Sequence, residues 1–185
     1  MHEGGSSVPV VTRFFESADV AAVHRWFNNQ RAVASLMEQR AEFTLEQAEG
    51  WVERAVGSDG EDRKFAITIE GHDQPVGFTA LYGLFRQTAP ELGVMVGDDI
   101  AARGVGREAE RQTVVRAFND YGAHKVYGRI PTDNEAAQRA VAWMGWKHEG
   151  TMREHLRRPE GDLVGCEIWG VTRSDWVARW GDGAA

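Results

Sequence analysis

Cysteine is almost missing: one thiol, Cys166, stands in 185 residues. A lone thiol closes no intramolecular disulfide, so the fold is expected to rest on its own core in a reducing cytoplasm. The six histidines are scattered with no H-x-x-x-H pair, which argues against a zinc centre and leaves no metal expected. Long apolar runs are absent, so no stretch reads as a membrane-spanning helix. The opening MHEGGSSVPV lacks the basic and apolar regions of a secretory signal. Basic charge is in deficit, with 21 Lys and Arg against 28 Asp and Glu and a formal net charge of -7. Nucleic-acid backbone normally meets a basic field, so that partner class is disfavoured. An acidic surface suits a cationic partner such as an amine, and it also serves plain solubility. No repeat or linker divides the chain, which is long enough for one sizeable core. A single domain over residues 8–180 is expected, with flexible termini at 1–7 and 181–185.

Seven stretches read as strands: VPVVTRFF, KFAITIE, PVGFTALYG, ELGVMV, HKVYGRI, WKHEGTMREHL and DLVGCEIWGV. Ser17 and Asp19 are placed to cap a first helix with an apolar face through Val20, Val23, Trp26 and Phe27. Thr44 and Gln47 form a T-x-x-Q capping box for a second helix, through Trp51, Val52 and Ala55 to Gly57. A third carries Ala109, Val114, Ala117 and Phe118, and Asn134 caps a fourth that Gly145 stops. The order β-α-α-β-β-β-α-β-α-β-β predicts an α/β fold: a mixed, mostly antiparallel sheet of about seven strands flanked by about four helices. One parallel pair is bridged by the third helix.

The segment AARGVGREAE (101–110) sets two glycines beside two arginines at that helix's start. Gly104-x-Gly106-x-x-Ala109 matches the dinucleotide fingerprint letter by letter. The fingerprint belongs directly after the first strand of a repeated βαβ array, whereas GDDIAAR separates Val96 from Gly104 here. No Gly-Lys-Ser/Thr follows, so a P-loop fails as well. What remains is a helix start with free amides, two glycines that permit close approach, and the charges of Arg103 and Arg107: an anion cradle, or a surface turn.

The run from Glu91 to Gly150 resembles the acyl-CoA-binding half of the GNAT N-acetyltransferases, nearest the branch of ribosomal-protein alanine and polyamine acetyltransferases. The likeness lies in four ordered landmarks: E-x-G on the fourth strand, R-G-x-G-x-E-A, an N-x-x-A helix, and a helix ending in Gly-aromatic. HRWFNNQRAV and FTLEQAEGWVER extend it loosely into the first half. The resemblance implies acetyl-CoA or another acyl-CoA as donor. Its pyrophosphate would lie on the amides of Arg103, Gly104, Val105, Gly106 and Arg107. Its pantetheine arm would follow Met95 and Val96, with Asn134 bonding from the next helix. Two positions depart from the pattern. Ala101 stands where relatives carry Gln or Arg, and Ala137 and Val141 replace the late-helix Ser or Tyr.

The implied reaction is direct attack of an amine on the thioester. Glu91 is the candidate to take the amine's proton, an amide near Met95 or Val96 to bind the oxyanion, and Tyr127 or Tyr82 to protonate the thiolate. Trp26, Asn28, Asn29 and Arg31 are acceptor-site candidates, and Trp26 and Trp51 equally suit the core. Cys166 sits in an apolar strand pattern and reads as packing, not as a nucleophile; Trp143, Trp146 and Trp169 read as core or interface. Small-molecule amines and peptide N-termini both remain open as acceptors. So do an acyl carrier protein or aminoacyl-tRNA as donor, a non-catalytic CoA-binding module, and a homodimer.

Overall fold

Alternating apolar residues build one seven-stranded sheet in the computed structural model, which describes residues 9–29, 32–33, 42–57, 60–86, 88–97, 104–158 and 160–181. The strands are β1 (Val10–Phe14), β2 (Arg63–Ile69), β3 (Gly77–Tyr82), β4 (Glu91–Val96), β5 (Lys125–Pro131), β6 (Lys147–Arg157) and β7 (Leu163–Thr172). They lie in the order β1-β2-β3-β4-β5-β7-β6, antiparallel throughout except for β4 against β5.

Successive residues of a strand face opposite sides, and the two cores follow that rule. On one side α1 (Val20–Phe27) and α2 (Leu45–Val56) place Val23, Trp26, Phe27 and Val52 on Ala66, Phe78, Ala80 and Met95. On the other side α3 (Val105–Asn119), α4 (Glu135–Met144) and α5 (Arg173–Trp180) bring Val114, Phe118, Val141, Met144 and Trp176 against Phe65, Leu81, Leu92 and Val126. Each such large side chain contributes roughly 1.5–3 kcal/mol when fully buried.

Two local expectations are corrected. Asp19 makes no side-chain cap on α1. Its carboxylate instead takes both terminal nitrogens of Arg13 at 2.8 Å and the Glu16 amide at 2.9 Å, closing a 3-10 turn over Ser17–Asp19. A guanidinium offering two charge-assisted bonds outcompetes a free helix amide. The helix α5 is an addition after the last strand. Thr172 and Asp175 form its capping box, a T-x-x-D signal already present in the sequence. The Thr44–Gln47 box, the Asn134 cap and the left-handed stop at Gly145 form as expected.

Candidate active site

The parallel pair is joined at a single registered position among the described residues, Glu91 opposite Tyr127, with the Tyr127 amide donating to the Pro90 carbonyl at 3.1 Å. Beyond it the strands part. Among the described residues, the β5-facing edge of β4 from Gly93 to Val96 has no strand partner, so its backbone groups are available to an extended ligand. Met95 is buried in the α1–α2 core while Val96 packs toward α3, so both hold the strand through their side chains and leave its edge free.

At the open end of this gap α3 begins. Gly104 is its N-cap, in the left-handed region (φ 73), and among the described residues no side chain caps the first turn. Amides in such a helix start can meet a ligand's oxygens, reinforced by the helix dipole. Gly106 allows the close approach beneath: a Cβ there would lie 3.2 Å from Cγ2 of Val96. Val105 is buried and anchors the turn. Ala101 and Arg103 lie outside the described residues. Asn134 caps α4 by accepting from the Ala137 amide at 3.1 Å, and among the described residues its side-chain nitrogen keeps no partner. Further along α3, Glu110 is enclosed (5% exposed) without a hydrogen bond or ion pair to any described residue, and burial pushes its carboxyl up to about 8.

At the closed end Glu91 is gripped on both oxygens. Arg129 Nε donates to Oε1 at 2.7 Å and the Tyr127 hydroxyl to Oε2 at 3.3 Å. Burial, then the charge of Glu91, raises the Tyr127 phenol above its ordinary value, which keeps it protonated. The hydrogen bond to Glu91 raises Arg129 in turn. Cys166 is buried, and burial pushes its thiol up, away from the reactive thiolate.

The acceptor-site candidates separate. Trp26 is core, 6.5 Å from the Phe78 ring centroid, and also walls a cavity of about 540 Å³. Asn29, Arg25, the turn Gly71–Gln74 and Gly97 line the same cavity, just past the end of β4. Asn28 is occupied elsewhere: its amide donates to the His24 and Phe43 carbonyls and accepts from the Phe43 amide, tying α1 to the segment entering α2. Trp51 belongs to an aromatic cluster with Phe15, Phe27 and Phe78. Arg31 lies outside the described residues. Sequence reasoning missed Arg129 as a site residue and did not assign the Gly71–Gln74 turn to the cavity. Alternation in KVYGRI puts Tyr127 and Arg129 on one face, which was a usable signal; the β4–β5 register that brings them to Glu91 was not readable.

Residues 10–147 match the family model described as acetyltransferase (GNAT) domain. The FsC-acetyl coenzyme A-N(2)-transacetylase of Aspergillus fumigatus is 28% identical over 94 residues, half of this chain but only 40% of that protein. An uncharacterized N-acetyltransferase of Bacillus subtilis, YoaA, is 24% identical over 152 residues, covering 80% of this chain and 84% of its own. Among solved structures, the spermidine N-acetyltransferase from Vibrio cholerae in complex with CoA and spermine superposes with a TM-score of 0.82 at 17% identity, over 94% of this chain and 99% of that one. A GNAT-family acetyltransferase from Bacillus anthracis gives 0.76 at 18% identity, over 91% and 98%. These structural likenesses establish a shared fold. Among the described residues, no helix is long and apolar enough to cross a membrane.

Proposed function

Because the chain belongs to the GNAT acetyltransferase family, we propose that it transfers the acetyl group of acetyl-CoA to an amine, in a complex holding both substrates. The observation that carries this reading is the gap between β4 and β5. An open strand edge leads from the gripped carboxylate of Glu91 to the uncapped start of α3. The edge suits the amides of a pantetheine arm, and the helix start with its two glycines suits a pyrophosphate.

In the proposed chemistry the amine nitrogen forms a bond to the thioester carbonyl carbon and the C–S bond breaks. Glu91 takes the proton the amine must lose, at Oε2, since Oε1 is committed to Arg129. A backbone N–H on the free edge of β4 binds the carbonyl oxygen as it gains charge. Tyr127 gives its proton to the departing thiolate and recovers one from Glu91 across their 3.3 Å contact, which closes the proton cycle. The acceptor is a small-molecule amine or a peptide N-terminus, entering past Trp26 and Asn29.

Thiol release measured with acetyl-CoA and a panel of amines tests the reading. Amine-dependent turnover is expected. Binding of CoA with no turnover on any amine would leave a non-catalytic module, and the absence of any CoA binding would overturn the reading outright.

A further inference from the structure

Trp143, in the last turn of α4, is 46% exposed. Two arginines lie over its ring: the guanidinium carbon of Arg107, from the first turn of α3, is 4.4 Å from the centroid, and that of Arg179, from α5, is 5.7 Å from it and 5.0 Å from the centroid of Trp180. The Trp180 ring meets it edge-on at 5.2 Å. Neither guanidinium is neutralised by a carboxylate among the described residues. Arg107 makes no hydrogen bond or ion pair there, and Arg179 makes only two long bonds to the Trp143 carbonyl, at 3.3 and 3.4 Å. Glu108, adjacent in sequence to Arg107, accepts hydrogen bonds from Arg111 at 2.8 and 2.9 Å and meets Arg107 only through the weaker attraction of their charges.

A carboxylate that positions an arginine also cancels its charge and uses its donors. An aromatic face positions it through the ring quadrupole and leaves both intact. Two positioned guanidinium groups without an ion pair among the described residues, on a chain of net charge -7, make a local site for a multiply charged anion. Its place is tied to the cradle: Nη2 of Arg107 lies 3.8 Å from where a Cβ on Gly104 would stand. One side chain thus spans from the pyrophosphate cradle to the Trp143 ring.

Resting on the proposed function, we infer that Arg107, held on Trp143, and Arg179, held on Trp143 and Trp180, bind the phosphomonoester at the nucleotide end of the donor. The cradle amides serve the pyrophosphate, and the doubly charged 3′-phosphate of CoA falls to the two arginines. The enzyme therefore selects a free CoA thioester over a phosphopantetheine thioester carried on a protein, which has no such group.

Calorimetric titration of the intact protein with CoA and with dephospho-CoA, which lacks only that phosphate, decides the matter. The wild type is expected to bind CoA about tenfold or more tightly than dephospho-CoA, a gap of at least ~1.4 kcal/mol. Arg179→Gln and Trp143→Leu should each shrink that ratio by weakening CoA while leaving dephospho-CoA unchanged. Arg179 is exposed, so its variant keeps the test alive should Trp143→Leu fold poorly. Equal affinities in the wild type, or variants that weaken both ligands alike, would overturn the inference while leaving acetyl transfer standing. Failure to bind either ligand removes both readings.

Discussion

Arg129 Nε donates to Glu91 Oε1 over 2.7 Å at the one described position where β4 and β5 are still in register. The carboxylate is therefore fixed in direction, with Oε2, held only by the longer 3.3 Å bond from the Tyr127 hydroxyl, left to take a proton. Glu91→Gln should lower kcat by roughly 10²–10⁴-fold, the span of a lost general base. Affinity for acetyl-CoA should hold, because the strand backbone is untouched. Steady-state kinetics beside a binding titration checks both halves; an unchanged kcat would remove Glu91 from the chemistry.

Tyr127 is held protonated by burial and by the charge of Glu91. The alkaline limb of the wild-type kcat profile should accordingly lie above the value of about 10 of a free phenol. Tyr127→Phe should lose that limb and cost about 10² in kcat, with KM for the amine little changed. A pH profile of both proteins separates this role from simple packing.

Gly104 adopts φ 73, which a side chain enters at a cost of about 1–2 kcal/mol. Gly104→Ala should lower stability by that amount in denaturant melts and weaken acetyl-CoA by more than tenfold, because the first-turn amides shift. Loss of stability without loss of affinity would mean that the cradle holds no phosphate.

Glu110 sets a pH dependence of stability. Its carboxyl titrates at about 8 in the fold and near 4.5 in the unfolded chain, so the unfolded state releases its proton first as pH rises. The contribution is complete below pH 4.5 and is lost progressively until about pH 8, up to about 5 kcal/mol in all. Glu110→Gln should flatten this decline and raise Tm at pH 8 and above. Melts from pH 5 to 9 give the comparison.

Much of the fold was legible because local signals agreed with one another. Capping at Thr44 and Asn134 and the stop at Gly145 bounded helices that the structure reproduces, and the alternating runs became strands. What sequence reading missed depended on partners far along the chain. Asp19 was assigned to a helix amide because the nearness of Arg13 across the turn is a tertiary fact. Arg129 reaches Glu91 only through a register between strands that a 15-residue helix separates. Trp143 read as core or interface, and nothing in the sequence shows that two arginines meet its exposed ring. The missed helix α5 is different: its T-R-S-D signal was local and readable.

The lone rung between Glu91 and Tyr127 divides the sheet into two leaves, four strands on one side and three on the other. Such a seam is a mechanical weak line, and a donor lying along β4 would splint it by standing in for the missing rungs. Folding and donor supply would then be linked, with stability growing as RT ln(1 + [L]/Kd). The protein's lifetime in a cell would track the acyl-CoA pool, with amide exchange along β4 and β5 fastest when that pool is drained.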